Sequence, residues 1–365
     1  MRNTVLNIAR FGVGVLAGTL GLVLAIPAIL ILVPIWWIDL LVRLFRRALE
    51  PTPIGWEEII EYAPEVGWKP KAGISAHVLN FNRDTWQLTT DADGWRGKGS
   101  VEQADAVVFG DSYAFGYGVD DEEFFADLPG DMRIKSIGSP AYSLVHSLLW
   151  MERMAPQLEG KLVVWLVYNG NDLADNVHPA QNQYRSPFVR IAAGDSACEL
   201  VTEHVDSSPW TLNSREGGMA AFIELCSPTE QSRRAFQACD FLIRRANDVC
   251  REAGARLVVM SIPDLSHLSR LALARELEKS QHAAHFDEEV PDRELQAICD
   301  RVGLPFVPLA VHMDTADYLE RDFHWSPRGH RKVARLIGEL GRDMSVADPT
   351  VSATALESVA RKASA

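Results

Sequence analysis

A serine that follows an apolar run, and an aspartate and a histidine near the C-terminus, are the residue types that acyl transfer needs. Ser112 comes shortly after the apolar residues 106–109, and Asp322 and His324 occur far later in the chain, separated by one residue. A hydroxyl becomes a nucleophile when a base removes its proton and a third group orients that base. We therefore predict Ser112 as the nucleophile, His324 as the base and Asp322 as the carboxylate that orients it.

Two further polar positions could donate hydrogen bonds to the oxyanion of such a reaction. Gly138 ends a second apolar run, and Asn171 follows a third. Taken alone, each residue has an ordinary explanation: Ser112 as a helix cap, Gly138 as a turn glycine and Asn171 in an Asn-Gly turn. Their order along the chain favours one common site, because the carboxyl ends of strands in a doubly wound sheet converge on one crevice.

The elements that must position these residues alternate regularly from residue 104 onwards. Short apolar strands are predicted at 105–109, 133–137, 162–168, 256–262 and 304–308, and helices at 143–156, 230–253, 292–302 and 326–342. Strands that alternate with helices predict an α/β fold with a parallel sheet and helices on both of its faces.

The remaining segments divide the chain into a core domain and its additions. Residues 51–100 are predicted as a linker and a β-rich lead-in, and 101–344 as the α/β domain. Within it, the polar stretch 173–228 is interpreted as an insertion that shapes the substrate site, since so long a loop is usually functional. Residues 264–291 are charged and predicted to be helical, and 345–365 form a flexible tail.

The first fifty residues predict a membrane anchor. No charged residue occurs from Phe11 to Ile38, and a helix of about twenty apolar residues already crosses a hydrocarbon core of roughly 30 Å. Trp36 and Trp37 stand near the end of this run, where indole rings favour the membrane interface. Arg43, Arg46 and Arg47 follow among apolar residues, which is typical of an interfacial helix. We predict that 1–50 hold a single transmembrane helix and a juxtamembrane helix.

Two other interpretations of this segment compete with a single anchor. The apolar run is too long for a cleaved signal peptide and lacks an Ala-x-Ala site. A hairpin of two short half-spans, bent at Pro27 or Pro34, stays open. Positive charge is nearly balanced on the two sides and does not orient the anchor. An envelope substrate, argued below, favours a catalytic domain outside the cytoplasm.

Charge and cysteine content exclude some classes of function. The chain carries a net charge of −13, and residues 51–365 carry −16 because 1–50 contribute +3. So acidic a domain argues against a nucleic acid partner, whose phosphates require a basic face. The cysteine count of 5 is odd and includes no Cys-x-x-Cys or zinc spacing, so we expect no cofactor and no metal.

These motifs together resemble those of the SGNH, or GDSL-type, serine hydrolase superfamily. Gly110-Asp111-Ser112 is similar to its first sequence block, Gly138 to its second, Asn171-Asp172 to its third, and Asp322 and His324 to its last. The resemblance implies a flavodoxin-like three-layer sandwich. It also implies an oxyanion hole made by the Ser112 and Gly138 N–H groups and the Asn171 amide, with the catalytic roles given above for the other residues.

The resemblance covers roughly residues 70–342 and has three departures. Tyr113 stands where the family has Leu, and Gly170 directly precedes Asn171 where the family usually places one residue between them. Asp322 and His324 are two apart instead of three, which leaves open which carboxylate orients the base. Some relatives that transfer acetyl groups to polysaccharides share the Asp-x-His-Trp form. The run 110–119 is similar to that of membrane-linked bacterial members, which often accompany surface-polysaccharide synthesis.

The resulting expectation is a membrane-anchored serine esterase that removes an acyl group, above all acetyl, from a carbohydrate or a related ester. An O-acyltransferase that acts on a surface polysaccharide would use the same residues, and a lipid ester is a third possible substrate. The alternative of another class is a non-catalytic carbohydrate-binding or assembly protein, since one fold hosts many functions. The sequence leaves protein partners and oligomeric state open.

Overall fold

The structure, a computed structural model, describes residues 37–38, 52–80, 84–181, 184–192, 197–203, 205, 219–264, 270–320 and 322–346. The chain divides into two compact units, Met1–Thr52 and Pro53–Ala365. Of the first unit only Trp37, Ile38 and Thr52 are described, and the first two are helical. The predicted anchor at 1–50 therefore lies almost wholly outside the described residues. A search of those residues finds no helix with the length and apolar character needed to cross a bilayer.

The second unit combines small antiparallel hairpins with longer parallel strands and helices. Its strands are β1 (Ile60–Ala63), β2 (Gly67–Pro70), β3 (Ser75–Leu79), β4 (Thr85–Thr89), β5 (Ala106–Gly110), β6 (Ile134–Gly138), β7 (Leu162–Tyr168), β8 (Ala180–Gln181), β9 (Tyr184–Arg185), β10 (Phe188–Ile191), β11 (Cys198–Val201), β12 (Arg256–Ile262) and β13 (Phe306–Pro308). Its helices are α1 (Ser112–Phe115), α2 (Leu144–Met154), α3 (Asp172–Asp175), α4 (Met219–Leu225), α5 (Glu230–Glu252), α6 (Arg270–Leu277), α7 (Val290–Val302) and α8 (Pro327–Val346).

The central sheet has the order β6-β5-β7-β12-β13, and its neighbouring strands are parallel. Counted along the chain this is the order 2-1-3-4-5 of flavodoxin-like folds. The order reverses between β5 and β7, so a crevice opens at the carboxyl ends of those two strands. The predicted parallel α/β sheet is confirmed, and it places the end of β5 beside the switch point.

Helices cover both faces of this sheet because its strands are apolar on both sides. Val107 and Phe109 face the layer that contains α2, α5 and α7. Ala106 and Val108, which alternate with them, face the layer that contains α8. The result is a three-layer arrangement in which most residues of the central strands are buried, and the apolar ones pack against one helix layer or the other.

The lead-in folds as two antiparallel hairpins, β1–β2 and β3–β4. Trp68 and Trp86 are buried in a cluster with Phe115, Tyr117 and Tyr142, which come from the loops after β5 and β6. The predicted β-rich lead-in is therefore packed against the segments that follow the first two sheet strands, and it supports the edge of the sheet where Ser112 lies.

The described part of the insertion 173–228 is largely ordered secondary structure. It contains the hairpins β8–β9 and β10–β11 and the helix α4. Val189 and Ile191 of β10 are buried in the same core cluster as α5. These hairpin residues therefore pack on a helix layer, and a role of the insertion in shaping the substrate site stays a prediction.

The predicted boundaries of the elements differ from the observed ones by a few residues. The last strand is predicted at 304–308 and begins at Phe306. Pro305 has no N–H to donate to the ladder, and the N–H of Leu304 is bonded to the carbonyl of Cys299 at the end of α7. Helix α7 begins at Val290, before the predicted 292, because Pro291 is suited to the first helical turn.

Candidate active site

Ser112 begins a single helical turn at the carboxyl end of β5. Asp111 caps this turn, since its Oδ1 accepts a hydrogen bond of 2.9 Å from the backbone N–H of Tyr113. Gly116 ends the turn with φ of 74°, a left-handed conformation that glycine adopts without strain. A strand followed at once by so short a helix presents the Ser112 hydroxyl at the edge of the sheet. The side chain is half-buried there.

The structure brings the three predicted catalytic side chains into one hydrogen-bonded chain. The Nε2 atom of His324 lies 2.8 Å from the Oγ atom of Ser112. The Nδ1 atom of His324 lies 2.6 Å from Oδ1 of Asp322. His324 and Asp322 are both buried, with 3% and 5% of their surface exposed. A nucleophile, a base and an orienting carboxylate at these distances form the constellation that activates a serine hydroxyl.

The spacing of two residues between the aspartate and the histidine is accommodated by a local turn. Oδ1 of Asp322 also accepts a hydrogen bond of 3.1 Å from the backbone N–H of His324. The turn is closed by a bridge between Tyr318 and Trp325 and by a bond of 2.9 Å from Leu319 N to His324 O. The carboxylate that contacts the base is therefore Asp322, which answers the question that the sequence left open.

The electrostatic setting distinguishes Asp322 from the other carboxylates at this edge. Burial raises the pKa of Asp322, but the hydrogen bonds from the His324 ring and backbone outweigh that effect and lower it. Burial raises the pKa of Asp111 to about 6 and raises that of Asp172 well above its ordinary value. Of these three carboxylates, Asp322 is thus the one whose contact with the base favours the ionised form.

Asp111 and Asp172 serve as local hydrogen-bond acceptors for the turns at the ends of their strands. Asp111 holds the Tyr113 N–H, and Oδ2 of Asp172 accepts a bond of 3.0 Å from the N–H of Tyr168. The hydroxyl of Ser112 also lies 3.3 Å from Oδ2 of Asp111, a longer contact than the one to His324. In this geometry the two carboxylates support the turns.

Gly138 occupies a position where no larger residue fits. A Cβ atom there would lie 2.6 Å from the Cβ of Ala114 and 2.8 Å from both Asp111 O and Phe115 N. The end of β6 therefore packs directly against the turn that carries Ser112. This contact explains the glycine, and the donation of its N–H to an oxyanion stays a prediction.

The amide of Asn171 is engaged by neighbouring carboxylates. Its Nδ2 donates to Oδ2 of Asp175 at 2.7 Å and lies 3.4 Å from Oδ1 of Asp172. Both acceptors belong to α3, so the nitrogen of the amide, and not its oxygen, faces that helix. Both carboxylates accept from this nitrogen, so a role of the amide in the oxyanion hole requires one of these bonds to open.

Aromatic side chains surround His324, and the sequence did not assign them to it. Ring centroids of Tyr113, Tyr117 and Phe323 lie 5.1, 4.6 and 4.5 Å from that of His324. Tyr113, Phe115 and Tyr117 form an aromatic cluster after the first strand, and all three are buried. Only the packing of the distant histidine loop against this cluster shows which of the three rings contact the base.

His330, six residues after His324, is part of the core. It is buried, its Nδ1 accepts a hydrogen bond of 3.3 Å from the N–H of Phe125, and its ring stacks on that of Phe125. Burial lowers the pKa of His330 well below the usual value of histidine. His330 therefore packs and hydrogen-bonds as a structural residue. Among the described residues, no group of three or more histidine, cysteine, aspartate or glutamate side chains is arranged to hold a metal ion.

Comparisons with known proteins give only distant likenesses. No family model matches the sequence, and no curated protein does. Three similar solved structures are an acylhydrolase from Bacteroides fragilis NCTC 9343, a GDSL-like lipase from Bacteroides thetaiotaomicron VPI-5482, and TesA. Their identities are 12%, 10% and 12%, with TM-scores of 0.37, 0.36 and 0.35. The matches cover 66%, 68% and 64% of this chain and 88%, 92% and 94% of the others. Similarities this weak do not establish a function for this chain.

Proposed function

We propose that this chain is a serine esterase that forms an acyl-enzyme on Ser112. The observation that carries the proposal is the continuous contact from Ser112 Oγ to His324 Nε2, 2.8 Å, and from His324 Nδ1 to Asp322 Oδ1, 2.6 Å. A serine that merely caps a helix needs no imidazole in this position, whereas a nucleophile does.

The geometry supports the following reaction steps. His324 Nε2 takes the proton of Ser112 as its Oγ attacks the ester carbonyl, and Asp322 stabilises the imidazolium. His324 then gives that proton to the departing alcohol oxygen, which leaves the acyl group on Ser112. Water enters, loses a proton to His324, and attacks the acyl carbon. The acid departs as Ser112 regains the proton, which restores the enzyme.

Charge on the oxyanion would be stabilised by the N–H groups of Ser112 and Gly138 and by the Asn171 amide. Each such donor typically contributes about 3 kcal/mol to transition-state stabilisation. The close contact of Gly138 with the Ser112 turn supports this arrangement, because it keeps the two backbone segments adjacent.

We further propose an acetylated carbohydrate as the substrate and a membrane anchor within 1–50, with the catalytic domain outside the cytoplasm. Phe323 is 36% exposed beside the base and lies parallel to Tyr168, which provides an apolar face suited to a sugar ring. Asp175 ends α3, which follows β7, and Asp264 lies two residues after β12. Carboxylates there favour a hydroxyl-bearing alcohol over an anionic one.

The proposal is tested with the full-length protein and a fluorophosphonate probe. We expect the wild type to be labelled and to hydrolyse p-nitrophenyl acetate, and Ser112→Ala to do neither. Ser326→Ala is the matched control, since it removes a hydroxyl from the same region that donates to Ala316 O. Full activity in Ser112→Ala would contradict the proposal, and a wild type that never labels would favour a binding protein.

A second measurement addresses the substrate. Release of acetate from acetylated polysaccharides by the wild type, and not by Ser112→Ala, would support a carbohydrate esterase. Transfer of the acetyl group to an added saccharide in preference to water would identify a transferase that uses the same acyl-enzyme. Hydrolysis confined to long-chain lipid esters would contradict the carbohydrate substrate and leave the serine mechanism intact.

A further inference from the structure

The residue next to the nucleophile contacts the loop that carries the base. The hydroxyl of Tyr113 donates a hydrogen bond to the backbone carbonyl of Phe323. Phe323 lies between Asp322 and His324, so this contact joins the Ser112 turn to the acid–base turn. The ring of Tyr113 also packs against Trp325, with centroids 4.9 Å apart.

The carbonyl that Tyr113 holds belongs to the same peptide group as the N–H of His324. A trans peptide is planar and points its C=O and N–H in opposite directions. The N–H end is bound by Oδ1 of Asp322 at 3.1 Å, and the C=O end is bound by Tyr113. With both ends bound, the peptide plane cannot rotate freely, and the direction in which the His324 side chain leaves the backbone is fixed.

The local environment keeps this hydroxyl a donor throughout the working pH range. Tyr113 is 1% exposed, and burial first, then the nearby Tyr168 and Tyr318, raise its pKa well above the ordinary value. The phenol therefore stays protonated and donates its hydrogen bond to the Phe323 carbonyl.

We propose that Tyr113 is a positioning residue that sets the distance between Ser112 and His324 by clamping the peptide group between Phe323 and His324. The inference rests on the proposed esterase function of the same site. It assigns a role to a side chain at which this sequence departs from the family that it resembles.

The test compares two phenylalanine variants in the full-length protein. Tyr113→Phe keeps the ring and removes the hydroxyl. Tyr142→Phe is the matched control: its buried hydroxyl also donates to a backbone carbonyl, that of Trp68, at 2.8 Å, and accepts from Trp150 at 3.1 Å. The control therefore loses at least as many hydrogen bonds, but none of them joins the nucleophile to the base.

We expect Tyr113→Phe to lower kcat and the rate of fluorophosphonate labelling by about tenfold or more, since a buried carbonyl loses its donor and the base loses its alignment. KM should be unchanged, because the substrate-binding surface is intact. Tyr142→Phe should keep the wild-type kcat and labelling rate. Wild-type kcat in Tyr113→Phe, or an equal loss in Tyr142→Phe, would overturn the inference.

A readout independent of turnover separates this inference from the proposed function. The nitrogen and proton resonances of the His324 ring, measured by NMR, report its bonds to Asp322 and Ser112. They should shift or broaden in Tyr113→Phe and not in Tyr142→Phe. If the wild type neither labels nor hydrolyses esters, the esterase proposal fails, while unchanged His324 resonances in Tyr113→Phe would refute the positioning role.

Discussion

At the scale of single residues, the site combines one strongly oriented base with carboxylates held in different states. Asp322 accepts two hydrogen bonds from His324, and Asp111 accepts one from the backbone of Tyr113. The pKa of Asp322 is lowered and that of Asp111 is raised to about 6, although both side chains are buried. Burial is the main cause of the raised pKa of Asp111, whereas at Asp322 the hydrogen bonds from His324 outweigh burial and lower the pKa.

Removing the charge of Asp322 should test its assigned role. Asp322→Asn presents an amide to Nδ1 of His324 and favours the wrong tautomer, so we expect kcat to fall by about 10³- to 10⁴-fold. Asp292→Asn is the control, since Asp292 accepts a bond of 2.8 Å from Asn169 at the same sheet edge without contacting the base. Ester hydrolysis is the measurement, and a wild-type rate in Asp322→Asn would remove Asp322 from the mechanism.

At the scale of elements, hydrogen bonds of a buried histidine stabilise the turn after β6. The buried ring of His146 caps α2, because its Nδ1 accepts a hydrogen bond of 3.0 Å from the N–H of Ser143. Its Nε2 lies 3.3 Å from the hydroxyl of Ser186 in the insertion. In the same turn Ala141 has φ of 64°. The turn next to Gly138 therefore combines a titratable cap with a residue in the left-handed region.

Acidification should weaken the fold through His146. Burial lowers the pKa of His146 from 6.5 to about 3 in the folded state. Between those values the unfolded chain binds a proton that the folded chain does not. Stability is therefore fully present above pH 6.5 and falls toward pH 3, by up to about 1.4 kcal/mol per pH unit.

Urea denaturation at several pH values checks this expectation. His146→Gln can accept and donate in the same place without titrating, so its stability should decline less steeply below pH 6.5. His77→Gln, which changes an exposed histidine, should keep the wild-type slope. Equal slopes in all three proteins would mean that His146 does not govern the acid sensitivity.

Ala141 and Gly73 both have a positive φ, and exchanging alanine and glycine at these positions should change the free energy of unfolding in opposite directions. A residue other than glycine is strained by about 1–2 kcal/mol in this region. Replacing it with glycine relieves that strain, but the greater conformational entropy of glycine in the unfolded chain offsets part of the gain. Ala141→Gly should therefore raise the free energy of unfolding by about 0.5–1 kcal/mol. Gly73→Ala should lower it by a similar amount, since Gly73 has φ of 67° and open space around its Cβ position. Urea titration measures both, and destabilisation by Ala141→Gly would contradict the argument.

At the scale of the whole second unit, the buried cation Arg96 joins the lead-in to the α/β domain. Arg96 is 1% exposed and donates to the carbonyls of Gly116 and Val119, with the Val119 bond at 2.6 Å. It also pairs with Asp121 at 3.1 Å. Burial lowers the pKa of Arg96 to about 10, and Asp121 acts in the opposite direction. The loop that leaves the nucleophile turn is thus held by a residue of the lead-in.

Replacing this cation should destabilise the whole unit. Arg96→Met strands buried carbonyls and the Asp121 carboxylate, so we expect a loss of about 3 kcal/mol or more in unfolding free energy. Arg133→Met is the matched control: its guanidinium pairs with Asp105 at 2.6 Å but is 70% exposed, and exposed pairs are worth about 1 kcal/mol or less. Thermal or urea denaturation measures both variants. Similar losses of unfolding free energy in the two would show that Arg96 stabilises the unit no more than an exposed arginine does.

The sequence alone determined the features that depend on neighbouring residues. Apolar periodicity fixed the sheet strands and most helices, as at β7 and β12, where the predicted and observed bounds coincide. The residue types at the strand ends also indicated Ser112 and His324, because such positions meet at one edge of a parallel sheet.

Only the tertiary structure decided the contacts between segments that are far apart in the chain. The Tyr113 hydroxyl on the Phe323 carbonyl, the bond from Asn171 to Asp175 and the burial of Arg96 all depend on how turns pack in space. Composition and periodicity report which face of an element is buried, but not which side chain of another element it meets. The 2.8 Å contact between Ser112 and His324 is a product of that packing.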